Sequence, residues 1–247
     1  EDMVVTVTHS GYIKRVPLST YRAQRRGGKG RSGMSTREED FVNEVFVTNS
    51  LTPLLFFSTR GIVYKLKTYK LPIGSPTSRG KALINLLPLK SGEKITTIMP
   101  YLQDNKNNII FATSNGNVRR NKITDFQNIN ANGKIAMKLV NDDKLVNVIT
   151  CEENSSIFLS SRLGKCIRFI AKDIRLFSGR TSIGVRGIKL QKDDSVISLA
   201  ILRDFKFEVD ERDIYLKASN QFRKDEKRDN TMLSDQKFSL MKENEEF

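Results

Sequence analysis

The apolar residues of the first two hundred positions fall into short runs bounded by Ser, Thr, Asn and Gly. No segment before residue 203 holds helical spacing over three turns. Four stretches repeat one pattern: "VVTVTHSGYIKRVPLSTY" (4–21), "LLFFSTRGIVYKLKTYKL" (54–71), "IIFATSNGNVRRNKITDF" (109–126) and "SIFLSSRLGKCIRFIAKDI" (156–174). Each has an apolar run, small hydroxylated residues, a glycine, an apolar residue and then cations. Gly11, Gly61, Gly116 and Gly164 are spaced 50, 55 and 48 apart. The pattern predicts a hairpin in each unit, with the glycine supplying the positive φ of a tight turn. In "IVYKLK", Ile62, Tyr64 and Leu66 share one face and Lys65 and Lys67 the other, so the strand should bury one face and show cations on the other.

Two further elements repeat in phase. "GKGRS", "GKALINL", "GKIAMKL" and "GVRGIKL" begin at Gly28, Gly80, Gly133 and Gly184, spaced 52, 53 and 51 apart. "FVNEVFV" (41–47), "ITTIMPY" (95–101), "LVNVITC" (145–151) and "VISLAIL" (196–202) close the units. The chain therefore predicts four repeats, at about 1–50, 51–105, 106–154 and 155–202, each with roughly four short strands. Units of this period bury their faces by stacking around an axis, as in a propeller-like disc. Continuous runs such as "LLFF" suit strands covered on both sides. Residues 203–247 break the period and read as a charged insertion, partly helical or disordered, whose "ENEEF" stands where a fifth repeat would begin.

Charge sharpens the picture. The 247 residues carry a formal charge of +14. Residues 203–247 hold ten basic and twelve acidic residues, so 1–202 carry a net charge of +16. Such a surface predicts an acidic partner, nucleic acid or an anionic membrane surface. The charge is most concentrated in "QRRGGKGRSG" (24–33), four basic side chains among four glycines. No helix or central strand favours that composition.

Other chemistries are poorly supplied. Cys151, Cys166 and the lone His9 cannot form a closed zinc site, and both cysteines read as small core residues of a reduced protein. No apolar run has the length of a membrane span, and the start has no signal-like stretch, so a soluble protein is expected. "GGKGRS" lacks the phosphate-binding-loop spacing. His9 has no plausible triad partner and reads as a hairpin residue. Tyr12, Tyr21, Tyr64 and Tyr69 read as packing residues, and the scattered acids suggest no magnesium site. A single "RGG" (26–28) is a weak basis for an RNA-binding module.

The box "QRRGGKG" (24–30), following the hairpin of 1–21, resembles the signature box of the C-terminal domain of the DNA gyrase A protein in all seven residues. "RGIVYKLKTYKLP" (60–72), "INLLPL" (84–89) and "GVRGIKL" (184–190) extend the likeness over 1–202. The resemblance implies an all-β β-pinwheel, a propeller-like disc of four-stranded, strand-exchanged blades. Four are recognisable here, against the family's usual six. It also implies a non-catalytic domain that wraps duplex DNA around a basic rim, without sequence specificity, so that gyrase introduces negative supercoils. The box is the expected clamp: Gln24, Arg25, Arg26, Gly27, Gly28, Lys29 and Gly30, with Arg31 beside it. The partners that the resemblance implies are the N-terminal cleavage core of the same gyrase A protein and the gyrase B protein, in an A2B2 complex. The implied location is the bacterial cytoplasm, at the nucleoid. ATP and Mg2+ are bound elsewhere in that assembly; no cofactor or metal is expected in this chain. The C-terminal domain of topoisomerase IV, which guides DNA segment choice, is the alternative; there the box is degenerate.

The residue types suit wrapping. Arg grips a phosphate with paired hydrogen bonds, Lys acts as a point charge, and glycine lets the backbone approach. Tight curvature costs on the order of 1–10 kcal/mol, so many cations must share the work. The expected track is Lys14 and Arg15; Lys65 and Lys67; Arg119, Arg120 and Lys122; Lys165 and Arg168 on the strands; and Arg79, Lys81, Lys134 and Arg186 in the middle loops. The acidic 203–247 segment could compete with DNA for that track.

Overall fold

The same groups close every predicted hairpin. In the computed structural model, which describes residues 1–21, 33–34, 36, 40–102, 107–202, 208–223, 239 and 241, the N–H groups of Gly11, Gly61, Gly116 and Gly164 donate to the carbonyls three residues earlier at 2.9–3.1 Å. All four glycines have φ between 73° and 86°, a region unfavourable to side-chain-bearing residues. The hydroxylated residue before each turn has its own task. Thr8, Ser58, Thr113 and Ser161 accept the N–H of Tyr12, Ile62, Asn117 and Lys165 at 3.0–3.3 Å. That is why the repeat carries Ser or Thr there.

The hairpins build four blades. The first has β1 (Asp2–Thr8), β2 (Tyr12–Pro17) and β3 (Val42–Asn49). The second has β4 (Pro53–Ser58), β5 (Ile62–Lys67) and β7 (Ile95–Pro100). Strand β6 (Lys81–Ala82), although it belongs to the second repeat, pairs with β2, giving the order β3-β1-β2-β6. Likewise β10 (Lys134–Ile135) joins the second blade, in the order β10-β5-β4-β7. The third blade consists of β8 (Asn108–Thr113), β9 (Asn117–Lys122) and β11 (Leu145–Cys151). Here β14 (Leu176–Phe177) and β15 (Val185–Arg186), both from the fourth repeat, pair with β9. The fourth blade has β12 (Ser156–Ser161), β13 (Cys166–Ile170) and β16 (Val196–Leu202), in the order β13-β12-β16. In the second, third and fourth repeats the loop that the sequence places in the middle thus serves the preceding blade; that of the first repeat lies outside the described residues.

Blades stack face to face. Leu54 and Phe56 pack against Val5, Val7 and Ile13 of the first blade. Their neighbours Leu55 and Phe57 pack against Ile109, Phe111 and Phe126 of the third. Ile110 and Ala112 meet Ile157 and Leu159 of the fourth. Because alternate residues point to opposite faces and both faces are covered, the runs are continuously apolar. The edge strands β7 and β11 touch through two hydroxyls of β7: Thr96 Oγ1 donates to Val146 O, and Thr97 Oγ1 to Asn147 Oδ1 at 2.7 Å. These strands converge as the innermost strands of a propeller do, which puts β6, β10 and β15 on the outer edge. Val45, Val47, Leu163 and Ile197, on the first and last blades, remain exposed.

Carboxylates pin the turns. Asp40 Oδ1 accepts the Ser10 and Phe41 N–H groups at 2.8 and 3.0 Å. Asp143 Oδ1 accepts the Asn115 N–H and the Ser114 hydroxyl, each at 2.9 Å. Asp194 takes the Leu163 N–H at 3.0 Å and the Ser161 hydroxyl at 2.7 Å. Burial pushes the Asp40 and Asp194 carboxyls up, but the surrounding donors outweigh it and hold both below the ordinary 3.8. A lowered native value means stability present above the unfolded value and lost as pH falls through the native one. The melting temperature should therefore drop below about pH 4. Thermal scans of an Asp40→Asn, Asp194→Asn double variant should show a lower melting temperature at neutral pH and a shallower acid slope; an unaltered slope would assign the acid sensitivity to other groups.

Contacts divide the chain into Glu1–Ile201 and Leu202–Phe247. The second unit contains the helix α1 (Val209–Arg223), with Asp210 and Glu211 in its positive first turn. Tyr215, Ala218 and Met241 are buried within this unit. Among the described residues no helix is long and apolar enough to cross a membrane.

Candidate nucleic-acid interface

The expected track divides by burial. Lys67, Lys81, Lys122, Lys165, Arg168 and Arg186 are exposed. Lys67 and Lys122 end β5 and β9 at the same register, and Lys81 and Arg186 lie on the exchanged outer strands. Lys165 Nζ donates to Lys189 O at 2.7 Å, and Arg168 donates to Ser156 Oγ. Lys134 is half-buried, on Asn128 O at 2.8 Å. Arg79 is also half-buried, its guanidinium 4.0 Å from the Tyr12 ring centroid. Gln24, Arg25, Arg26, Gly27, Gly28, Lys29, Gly30 and Arg31 lie outside the described residues.

Three expected track residues face inward instead. Lys14 is 1 % exposed, and its ammonium donates to the carbonyls of Ser75, Pro76 and Ser78. Arg119 is 0 % exposed. It donates to Arg180 O at 2.7 Å, Ser182 O at 2.9 Å, Ala136 O and Asn121 Oδ1 at 2.7 Å, and lies over the Phe111 ring. Arg120 is buried, donating from Nε to Ile174 O and standing 3.9 Å from Glu153. Burial lowers the Lys14 pKa; burial, opposed by the Asp125 charge and aided by that of Arg180, brings Arg119 to about 10, still ionised at neutral pH. These cations fasten the loop from the next repeat and are closed off from a phosphate. Arg15 does similar work from a half-buried position, donating to Leu71 O and Tyr69 O.

The reason is local. Lys14, Tyr64 and Arg119 all stand three residues after the turn glycine, beneath the exchanged segment. Its glycines seat directly on the strand: a Cβ at Gly80 would lie 2.3 Å from Ile13 O, and one at Gly184 2.3 Å from Val118 O. In the second blade the position is Tyr64, whose hydroxyl donates to Glu93 at 3.0 Å. That buried aromatic at the shared register was the available signal that Lys14 and Arg119 point inward. The face of β5 expected to display cations is covered in part: Val63 is fully buried and Lys65 lies over the Tyr101 ring with Nζ on Gln127 O, while Lys67 at the strand end is exposed. Cys166, expected in the core, is exposed on β13, whereas Cys151 is buried and its thiol pushed up to about 11 by burial. His9 holds to its hairpin, stacked on Phe41.

One outer cleft gathers cations. A space of about 430 Å³ between the second and third blades is lined by Lys65, Lys67, Lys70, Gln127, Asn128 and Asn130, with no carboxylate among its lining residues. Lys70 was not singled out from the sequence; it ends the 3-10 turn Thr68–Lys70 and joins the cleft only through that turn. Burial, then the Lys67 charge, lowers the Lys65 pKa. An anion there would relieve the crowding. The net charge of +16 over residues 1–202 is a surplus of cations over carboxylates, which no internal pairing removes.

Known proteins resemble this chain in sequence and fold. The family described as DNA gyrase C-terminal domain, beta-propeller, matches residues 2–49, 52–101, 107–152 and 155–203. The DNA gyrase A protein of Rickettsia bellii is 53% identical over 224 residues, covering 89% of this chain and 25% of that protein. Its Escherichia coli counterpart is 43% identical over 204 residues, covering 82% and 23%. The chain thus spans about a quarter of the length of these relatives. A solved C-terminal domain of DNA topoisomerase IV superposes with a TM-score of 0.72 at 24% identity, over 83% of this chain and 62% of that one. A solved gyrase A C-terminal domain gives 0.60 at 25% identity, over 82% and 66%. With four blades, three of them completed by a strand of the next repeat, and a family match that runs through all four, the chain belongs to the DNA gyrase C-terminal domain family.

Proposed function

We propose that this chain binds duplex DNA along its outer, cation-bearing edge and wraps it without reading sequence. The observation that carries the reading is the acid-free cleft of Lys65, Lys67 and Lys70 beside the outer strands, with Lys81, Lys122 and Arg186 exposed on other blades. Cations on successive blades of a disc form a curved track. Neutralising phosphates releases counterions, which gives affinity without base recognition. The box residues 24–30 act as the strongest clamp, and the wrap gives gyrase the handed crossing it turns into negative supercoils. In this reading the chain is a non-catalytic domain. Cleavage belongs to the rest of the gyrase A protein, and ATP hydrolysis to the gyrase B protein, in an A2B2 assembly at the bacterial nucleoid. The relatives at 43–53% identity carry the gyrase A name, which favours this over the topoisomerase IV role.

Relaxed circular DNA, the chain and a nicking–ligating enzyme test the proposal. A linking-number shift of one sign is the expected result; binding with no shift would overturn wrapping by this chain. Salt titrations test the track. Lys67→Ala and Lys122→Ala should each lower the slope of log K against log salt by about 1 without changing the melting temperature. Replacing Arg25, Arg26 and Lys29 together should reduce the topology shift more than the affinity.

A further inference from the structure

The innermost strands carry one polar side chain at a shared position. Glu44 on β3, Thr97 on β7 and Asn147 on β11 lie beside the register shift in each pairing, opposite Val7, Phe57 and Ala112. Between the second and third blades the position is satisfied across the gap: the Thr97 hydroxyl donates to Asn147 Oδ1 at 2.7 Å and accepts the Val148 N–H at 3.1 Å. Between the first and second blades the series stops. Among the described residues no hydrogen bond or ion pair joins β3 to β7, and the strands leave a cavity of about 460 Å³.

That cavity has the size of a small-molecule site. Val7, Leu83, Ile84, Leu89, Ile95 and Ile98 form an aliphatic wall. Two carboxylates line it. Glu93 is spent: Oε1 accepts the Tyr64 hydroxyl at 3.0 Å and Oε2 the Lys90 N–H at 2.9 Å. Glu44 is half-buried and has no hydrogen-bond donor among the described residues. Burial raises its carboxyl above the ordinary value, the mark of a charge short of solvent and partners. Lys94 and His9 also line the space, but both are exposed and neither forms an ion pair with Glu44.

We propose that this interblade cavity binds a primary alkylammonium ion, with Glu44 as counter-charge and the aliphatic wall holding the carbon chain. The ammonium supplies the donor that Thr97 supplies one blade further on. The aliphatic chain covers the exposed Ile84 and the half-buried Leu89 and Ile95, with Val7, Leu83 and Ile98 forming the buried floor behind them. The site is independent of the outer cationic edge and does not rest on DNA binding.

Hexylammonium chloride and hexanol are the probes, titrated into the 247-residue chain while the methyl resonances of Val7, Leu83 and Ile98 are followed by NMR. Hexylammonium should shift these methyls saturably, hexanol at least tenfold more weakly, and Glu44→Gln should weaken the ammonium at least tenfold while leaving hexanol unchanged. The Gln variant keeps the side-chain shape, and its spectrum reports whether the fold is retained. If hexanol binds as well as hexylammonium, or if neither perturbs these methyls in the unsubstituted chain, the proposal is overturned whatever the variant does.

Discussion

Phe111→Ala should destabilise the blade unit by about 3–5 kcal/mol, the range for deleting a fully buried aromatic side chain. Phe111 is 0 % exposed and sits between the second and third blades. Its ring centroid lies 5.6 Å from Phe57, edge-on at 81°, and 5.7 Å from Phe126. Phe57 and Phe126 are themselves 5.8 Å apart, so the three rings form a closed cluster. Such pairs contribute about 0.5–1.5 kcal/mol beyond their buried area. The wall opposite is made of strands held by their own ladders and cannot collapse into the gap. At about 2–4 °C per kcal/mol for a unit of this size, the midpoint should fall by roughly 10 °C in a calorimetric scan. Phe111→Leu should recover more than half of that. An equal loss in both variants would show that the ring contacts, not the filled volume, dominate.

Arg119→Ala should cost about 3–4 kcal/mol, because it strips donors from buried carbonyls that have no water to replace them. The guanidinium ties Arg180 O and Ser182 O of the fourth repeat and Ala136 O of the third to a strand of the third blade. Arg119→Lys should cost only about 1–2 kcal/mol, since Lys14 shows an ammonium holding three carbonyls at the same register. The Lys variant still loses the bond from Nε to Asn121 Oδ1. Neither substitution should change the salt slope of DNA binding under conditions where the variant is folded. Lys67→Ala should do the reverse, changing the slope and sparing the midpoint. A slope reduced by about 1 in Arg119→Ala, with no loss in midpoint, would move Arg119 back to the DNA surface. Because Arg119 lies 4.9 Å from the Phe111 ring, the two truncations should not add.

Much of this was written locally. A turn glycine, the hydroxyl three residues before it and an apolar run fix a hairpin within a dozen residues, and their recurrence near every fifty fixes the blades. The box and the repeat likewise carried the family resemblance. What the sequence could not assign was the second face of each strand. Alternation marks which residues share a face but not what covers it, and here the cover arrives from a segment about sixty residues later. Under that cover Lys14 and Arg119 became internal fasteners, and Lys65 a half-buried neighbour of Tyr101. Without it, on β13, Cys166 stayed exposed.

The sequence by itself determined the hairpins, the period and the surplus of positive charge, because each depends on contacts within one repeat or on composition alone. Only the tertiary structure decided which cations remain at the surface and where a carboxylate is left facing a cavity. Both depend on how closely one blade approaches the next, a distance that no single strand records.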